Sequence, residues 1–268
     1  MHMKKTFLKI GLFAALGLTV AAFNSCKDNK PGPDNGIGGS TNPDGSFTVM
    51  ATNVINGSAQ ITTVKALAYW SSGNWEDGDY EYGEDVIAQA PYSTNGFTLK
   101  LPATVAAKYL YGIDEDELLG VTISDRAVKM RSFSGFSGFD KDENEIGYFY
   151  LGEETDDSEH VAVWLYADRD VTIKGEEKEI DEDYNEEYIR KFDLQLKKGW
   201  NVVYESGIES TDNSTGRDVY VFSVTNKKTA GVNYAWNFHD YNSPDLSSAQ
   251  VKSATKKSAF GSKLQAKK

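Results

Sequence analysis

Cysteine is almost missing from this chain: Cys26 is the one thiol in 268 residues. A lone thiol forms no intrachain disulfide and no zinc–thiolate cluster. Histidine is nearly as scarce. Past residue 25 only His160 and His239 remain, and no H-E-x-x-H occurs, so both read as surface or structural side chains. Serine chemistry lacks its frame as well, because Gly135-Phe136-Ser137-Gly138-Phe139 falls one residue off G-x-S-x-G. These absences leave no assigned catalytic residue, no metal site and no cofactor. Carboxylates are abundant at 40 Asp plus Glu, so a glycoside hydrolase built on a pair of them stays open, but sequence alone does not pick the pair.

Positive charge is also in deficit. The net charge is −12, and removing Lys4, Lys5 and Lys9 with the first 25 residues gives −12 − 3 = −15 for residues 26–268. Such a chain repels phosphate backbones, which excludes nucleic acid as a partner. Long apolar runs are lacking too, with one exception. Ile10 to Phe23 is apolar for 14 residues behind those three lysines, short of the roughly twenty that span a bilayer as a helix. Residues 1–25 read as a signal peptide.

That apolar run ends in Phe23-Asn24-Ser25-Cys26 rather than an A-x-A-like site. Here the chain resembles a bacterial lipoprotein precursor of the Bacteroidota type. The resemblance implies that Cys26 is acylated and becomes the first mature residue, with Ser25 as the small residue before it. Phe23 and Asn24 depart from the commonest lipobox. Lys27-Asp28 matches the post-cysteine export signal of such proteins, while Asn29 stands where a second acid is expected. The implied location is the outer membrane, lipid-anchored and facing the cell exterior, with the periplasmic face as the alternative. The bilayer then becomes a partner through Cys26.

Lys27 to Ser46 holds three of the six prolines and five glycines, so residues 26–46 read as the lipidated cysteine and a flexible tether. Residues 47–250 have globular composition. Period-two alternation recurs in Phe47-Thr-Val49-Met-Ala51 and Phe97-Thr-Leu99-Lys-Leu101, and about a dozen such segments at short spacing point to an all-β fold. The expected form is an antiparallel β-sandwich, Ig-like or jelly-roll-like, with at most one or two short helices; a β-barrel is the alternative. His160 to Gly175 reads as two strands broken at Asp168-Arg169-Asp170. Lys191 to Ser206 reads as a hairpin turning at Gly199. Pro102 to Tyr111 suits a short helix. Phe133, Phe136 and Phe139 recur every three residues, a spacing read as an irregular loop capping the core.

Asp140-Lys-Asp142-Glu-Asn144 begins like a calcium loop, but Glu145 replaces the turn glycine and Leu151 the bidentate glutamate. Residues 251–268 carry six lysines and no acid. This tail reads as solvated and disordered, or as a basic arm for this domain's acids or for anionic surface polymers. The strongest binding candidate is Ala68 to Asp85, where Trp70, Trp75, Tyr80 and Tyr82 sit among Ser, Gly, Asn and acids. Flat rings with carboxylates nearby are what a sugar surface calls for. Trp164, Trp200 and Trp236 are expected in the core. The expected role is non-catalytic binding of a glycan or another extracellular ligand. An adhesin-like or structural subunit that binds a surface protein is the alternative.

Overall fold

In the computed structural model, residues 38–72, 80–93, 96–113 and 120–242 are described. Cys26, Trp75 and the basic tail lie outside them. The strands are β1 (Ser40–Thr41), β2 (Phe47–Ala51), β3 (Thr63–Ser72), β4 (Glu81–Pro91), β5 (Phe97–Leu101), β6 (Tyr111–Gly112), β7 (Val121–Ile123) and β8 (Lys129–Phe133). They continue with β9 (Phe136–Phe139), β10 (Glu145–Glu154), β11 (Ser158–Ala167), β12 (Val171–Asp181), β13 (Glu186–Leu196), β14 (Gly199–Asp212), β15 (Arg217–Thr225) and β16 (Ala235–Asp240). The fold is all-β, as the periodicity implied. Among the described residues helix is confined to one 3-10 turn, Ala107–Tyr109, inside the expected helical segment.

A small sheet, β1-β2-β5, packs against a large one ordered β4-β3-β9-β10-β11-β14-β15-β13-β12-β7, with β16 beside β10 and β8 beside β11. Neither closes into a barrel. Among these strands every ladder is antiparallel except β13 with β15, so the large sheet is mixed.

Strand β11 explains the layering. Its run Val161 to Ala167 is apolar at every position, as expected of a strand covered on both faces. Ala162, Trp164 and Tyr166 enter a ring-rich core with Phe97, Phe136, Phe149, Trp200 and Trp236. Val163, Leu165 and Ala167 enter an aliphatic core with Met130, Ile173, Leu194 and Val203. The small sheet closes the first core through Val49, Leu99 and Leu101. The second is closed by the lower halves of β12 and β13.

The closure of the second core corrects the expected Lys191–Ser206 hairpin. Gly199 does take a positive φ of 97°, but β13 and β14 do not pair with each other. Strand β15 lies between them, hydrogen-bonded to both. Below Thr225 the two strands separate into facing layers, and the Lys197-Lys198 turn joins those layers instead of closing a ladder.

Two further readings change. Phe136–Phe139 is a strand, not an irregular loop; Phe133 and Phe136 point into the ring-rich core, and Phe139 lies under the Lys65 ammonium, 4.1 Å from its centroid. The folded chain also starts before Phe47. Ser40 and Thr41 pair with Thr48 and Phe47, and the carbonyl of Gly38 accepts a 2.9 Å bond from Trp164 Nε1. Composition marked 38–46 as tether because its polar residues spend themselves on local turns. Asp44, for example, accepts from the Ser46 amide at 2.9 Å.

Candidate functional site: a tyrosine and glutamate face

The face of β3, β4, β9, β10 and β16 turned away from the ring-rich core carries the candidate site. On β10, Phe149 and Leu151 point inward while Tyr148 and Tyr150 point outward. A bulge between Glu145 and Gly147 brings Glu145 onto the outer side too. Strand β16 adds His239 opposite Tyr148, and Tyr241 follows in the same parity. The rings lie close: Tyr148 is 6.0 Å from Tyr150, 5.0 Å from His239 and 6.1 Å from Tyr241.

The β3–β4 hairpin extends this face. Tyr69 stands opposite Glu84, and Tyr82, opposite Ser71, is its diagonal neighbour on the same side. Tyr80 and Tyr82 have ring centroids 6.4 Å apart. Exposure falls from 80 % at Tyr82 through 50 % at Tyr241 and 44 % at Tyr69 to 36 % at Tyr148. The Tyr69 carbonyl accepts from Tyr111 Oη at 2.8 Å and Arg131 Nη1 at 3.1 Å, and the Arg131 guanidinium lies 5.9 Å from the Tyr69 ring centroid.

Carboxylates border the rings. Tyr241 donates its hydroxyl to Glu145 Oε1 at 3.1 Å. Glu154 pairs with Glu159 across β10 and β11. Burial and the nearby Glu159, Tyr150 and Glu154 push the Tyr148 phenol above its ordinary range. Burial with Glu154 and Glu159 pushes Tyr150 up to about 12. Burial and Glu84 raise Tyr69, and burial and Glu145 raise Tyr241. All four phenols therefore stay neutral at physiological pH, as flat rings with a hydroxyl donor among carboxylate acceptors. Further along, Glu205 on β14 is pushed up to about 8 by burial and by Glu159.

Of the residues singled out from sequence, the structure brings Tyr80 and Tyr82 to this face and sends Trp70 elsewhere. Trp70 shares its side of β3 with Ala66 and Ala68 and packs against the ring-rich core. Its indole lies over Gly83, where an added Cβ would come within 2.7 Å of the ring. Lys108 Nζ sits 5.1 Å from the ring centroid. Its Nε1 is buried with no well-formed hydrogen bond, though it helps Lys108 and Tyr109 hold the Asp85 carboxyl low. Trp75 lies outside the described residues. Sequence reading missed Tyr69, Tyr148, Tyr150, Tyr241 and their glutamates. The Tyr-Phe-Tyr alternation at 148–150 was the signal available: period two puts the hydroxyl-bearing rings on one side and phenylalanine on the other.

The Asp140 loop is a hairpin turn. Asp140 Oδ1 accepts from the amides of Asp142 and Asn144 at 2.8 and 2.9 Å, and Glu143 pairs with Lys65. Among the described residues no group of three or more His, Cys, Asp or Glu is arranged to hold a metal ion. Trp164, Trp200 and Trp236 are buried in the ring-rich core. The chain matches no family model, no curated protein and no solved structure.

Proposed function

We propose that this protein is a lipid-anchored surface protein whose tyrosine and glutamate face binds a glycan without cleaving it. One observation carries this reading: Tyr82, Tyr69, Tyr241, Tyr148 and Tyr150 share one outer face with Glu84, Glu145 and Glu154. Sugar rings present C–H surfaces that stack on neutral aromatic faces, and hydroxyls that donate to carboxylates. A row of exposed rings on the solvent side of a sheet meets both needs. The anchor reading rests on the residues around Cys26. One acyl chain holds a protein only marginally, so durable attachment calls for a multiply acylated cysteine.

The test is calorimetric titration of the purified protein against a panel of soluble polysaccharides. Saturable heat that falls at least tenfold in affinity in Tyr148→Ala and Tyr241→Ala, with unfolding midpoints near wild type, supports the reading. No heat across the panel, or heat indifferent to both substitutions, overturns it. The anchor is checked by Cys26→Ser: the variant is expected to leave the membrane fraction and lose radioactive palmitate, and retention of either contradicts lipidation. A second reading has its own observation. Glu205 on β14 and Glu159 on β11 are diagonal neighbours across the paired strands, and burial with Glu159 pushes Glu205 up to about 8, the unlike pair of carboxyls a carboxylate hydrolase needs. New reducing ends in the titrated samples would favour it.

A further inference from the structure

Charge on the tyrosine and glutamate face narrows the kind of glycan it fits. Two carboxylates stand among the rings. Glu145 Oε1 accepts the Tyr241 hydroxyl at 3.1 Å, and Glu84 stands opposite Tyr69 across the β3–β4 ladder. Both are exposed, and neither has a cation within ion-pairing distance among the described residues. Beyond burial, Glu84 and Glu145 both raise the Tyr69 phenol, and Glu145 raises Tyr241, so one negative field covers the rings. The cations alongside are already engaged. Lys65 pairs with Glu143 over the Phe139 ring, Lys141 pairs with Asp142 at 2.6 Å, and Arg131 donates to the Leu67 and Tyr69 carbonyls. Resting on the glycan reading of this face, we propose that its occupant carries free amino groups: a polymer of hexosamine units without N-acetyl caps.

A glycan laid across Tyr69, Tyr241 and Tyr148 takes water away from Glu84 and Glu145. Under a neutral sugar each carboxylate loses hydration without gaining a counter-charge, which costs free energy even where hydroxyls donate to it. Under a uronic or sulfated sugar, like charges meet and the cost rises. An ammonium on the sugar offsets it in two ways. It pairs with a carboxylate through up to three donors, and it is attracted to the face of a tyrosine ring. The arrangement suits both contacts at once, because carboxylates and rings follow one another as Glu84, Tyr69, Glu145, Tyr241 and Tyr148. An ammonium that reaches either carboxylate therefore has a ring beside it. A hexosamine polymer repeats an amine and a C–H surface along its length, whereas a glycan with hydroxyls alone matches only the rings.

Calorimetric titration with two forms of one ligand tests it: glucosamine oligosaccharides with free amines, and the same oligosaccharides N-acetylated, at pH 6, where the free amines are protonated. The free-amine form is expected to bind at least tenfold more tightly than its acetylated twin. That ratio should fall several-fold at 1 M salt, where the screening length is about 3 Å. Glu84→Gln/Glu145→Gln should bring the two ligands to nearly equal affinity while its unfolding midpoint stays unchanged. The control, Glu182→Gln/Asp183→Asn in the turn joining β12 to β13, removes the same charge at the other end of the large sheet and should keep the preference intact. Equal affinities in wild type, tighter binding of the acetylated form, a preference that survives Glu84→Gln/Glu145→Gln, or an equal loss in the control would each overturn the inference. Binding of an uncharged polysaccharide that is lost in Tyr148→Ala, with no preference for amines, overturns it and leaves the glycan reading standing. No binding of any saccharide overturns both.

Discussion

Strand β10 presents two kinds of ring on its two sides, and the difference sorts structure from recognition. Inward, Phe149 is fully buried, 5.1 Å from Phe97 and 4.8 Å from Phe238, in a core where Trp164 and Trp236 stack at 5.4 Å. Outward, Tyr148 and Tyr150 stand among glutamates and keep part of their rings in water. The two stacked inner indoles have their N–H groups satisfied, Trp164 by the Gly38 carbonyl and Trp236 by the Met50 carbonyl at 3.1 Å. A ring with a hydroxyl on a solvent face, next to others of its kind, is not required to build the sandwich. The inner set holds the sheets together, and the outer set is free to be used.

The sharpest way to break this comparison is to truncate one ring from each side. Trp164→Ala removes a fully buried indole and is expected to cost about 3–5 kcal/mol, whereas Tyr148→Ala should cost about 1 kcal/mol or less. Urea unfolding monitored by circular dichroism measures both. Equal losses would mean that the outer rings are structural after all. A single methyl gives the next largest effect. Gly138 faces inward on β9, where an added Cβ would lie 2.8 Å from the Phe238 ring and 3.1 Å from Phe149. Gly138→Ala is therefore expected to destabilise by about 1–3 kcal/mol. Its neighbour Ser137 faces the outer side, and Ser137→Ala should stay within about 0.5 kcal/mol.

The smallest expected effect is on pH dependence. Burial, with Glu159 nearby, pushes the Glu205 carboxyl of the folded protein up from about 4.5 to about 8. Between those values the folded state holds a proton that the unfolded state has released, so stability falls as pH rises from about 4.5 to about 8 and levels off above. Glu205→Gln removes this slope. Glu205 is half-buried, so water screens much of that shift. The variant's melting temperature should exceed wild type by a few degrees at pH 8.5 and match it near pH 4, since about 1 kcal/mol moves a domain of this size by roughly 2–4 °C. Identical melting profiles across that range would show that Glu205 is not held in its buried surroundings.

Much of the molecule was legible in its residues. Period-two alternation at short spacing led to an all-β chain, and that is the fold observed. The interruption at Asp168–Asp170 falls between β11 and β12 as expected. Local pattern set these features because a strand's two faces are written in alternate residues. What it could not supply is which strand lies beside which. Lys191–Ser206 has the local chemistry of a hairpin, with glycine at the positive φ, yet β15, the next strand in the chain, pairs between its arms. Trp70 and Tyr82 belong to one aromatic stretch in sequence, but cross-strand pairing puts them on opposite faces. The tyrosine face joins residues 69, 82, 148, 150 and 241, which meet through the registers of β4 with β3, β3 with β9, β9 with β10 and β10 with β16. Composition and alternation determined that this protein is a β fold with rings to spare. Strand order and register, set by the burial of two cores against a shared β11, decided which rings remained at the surface together.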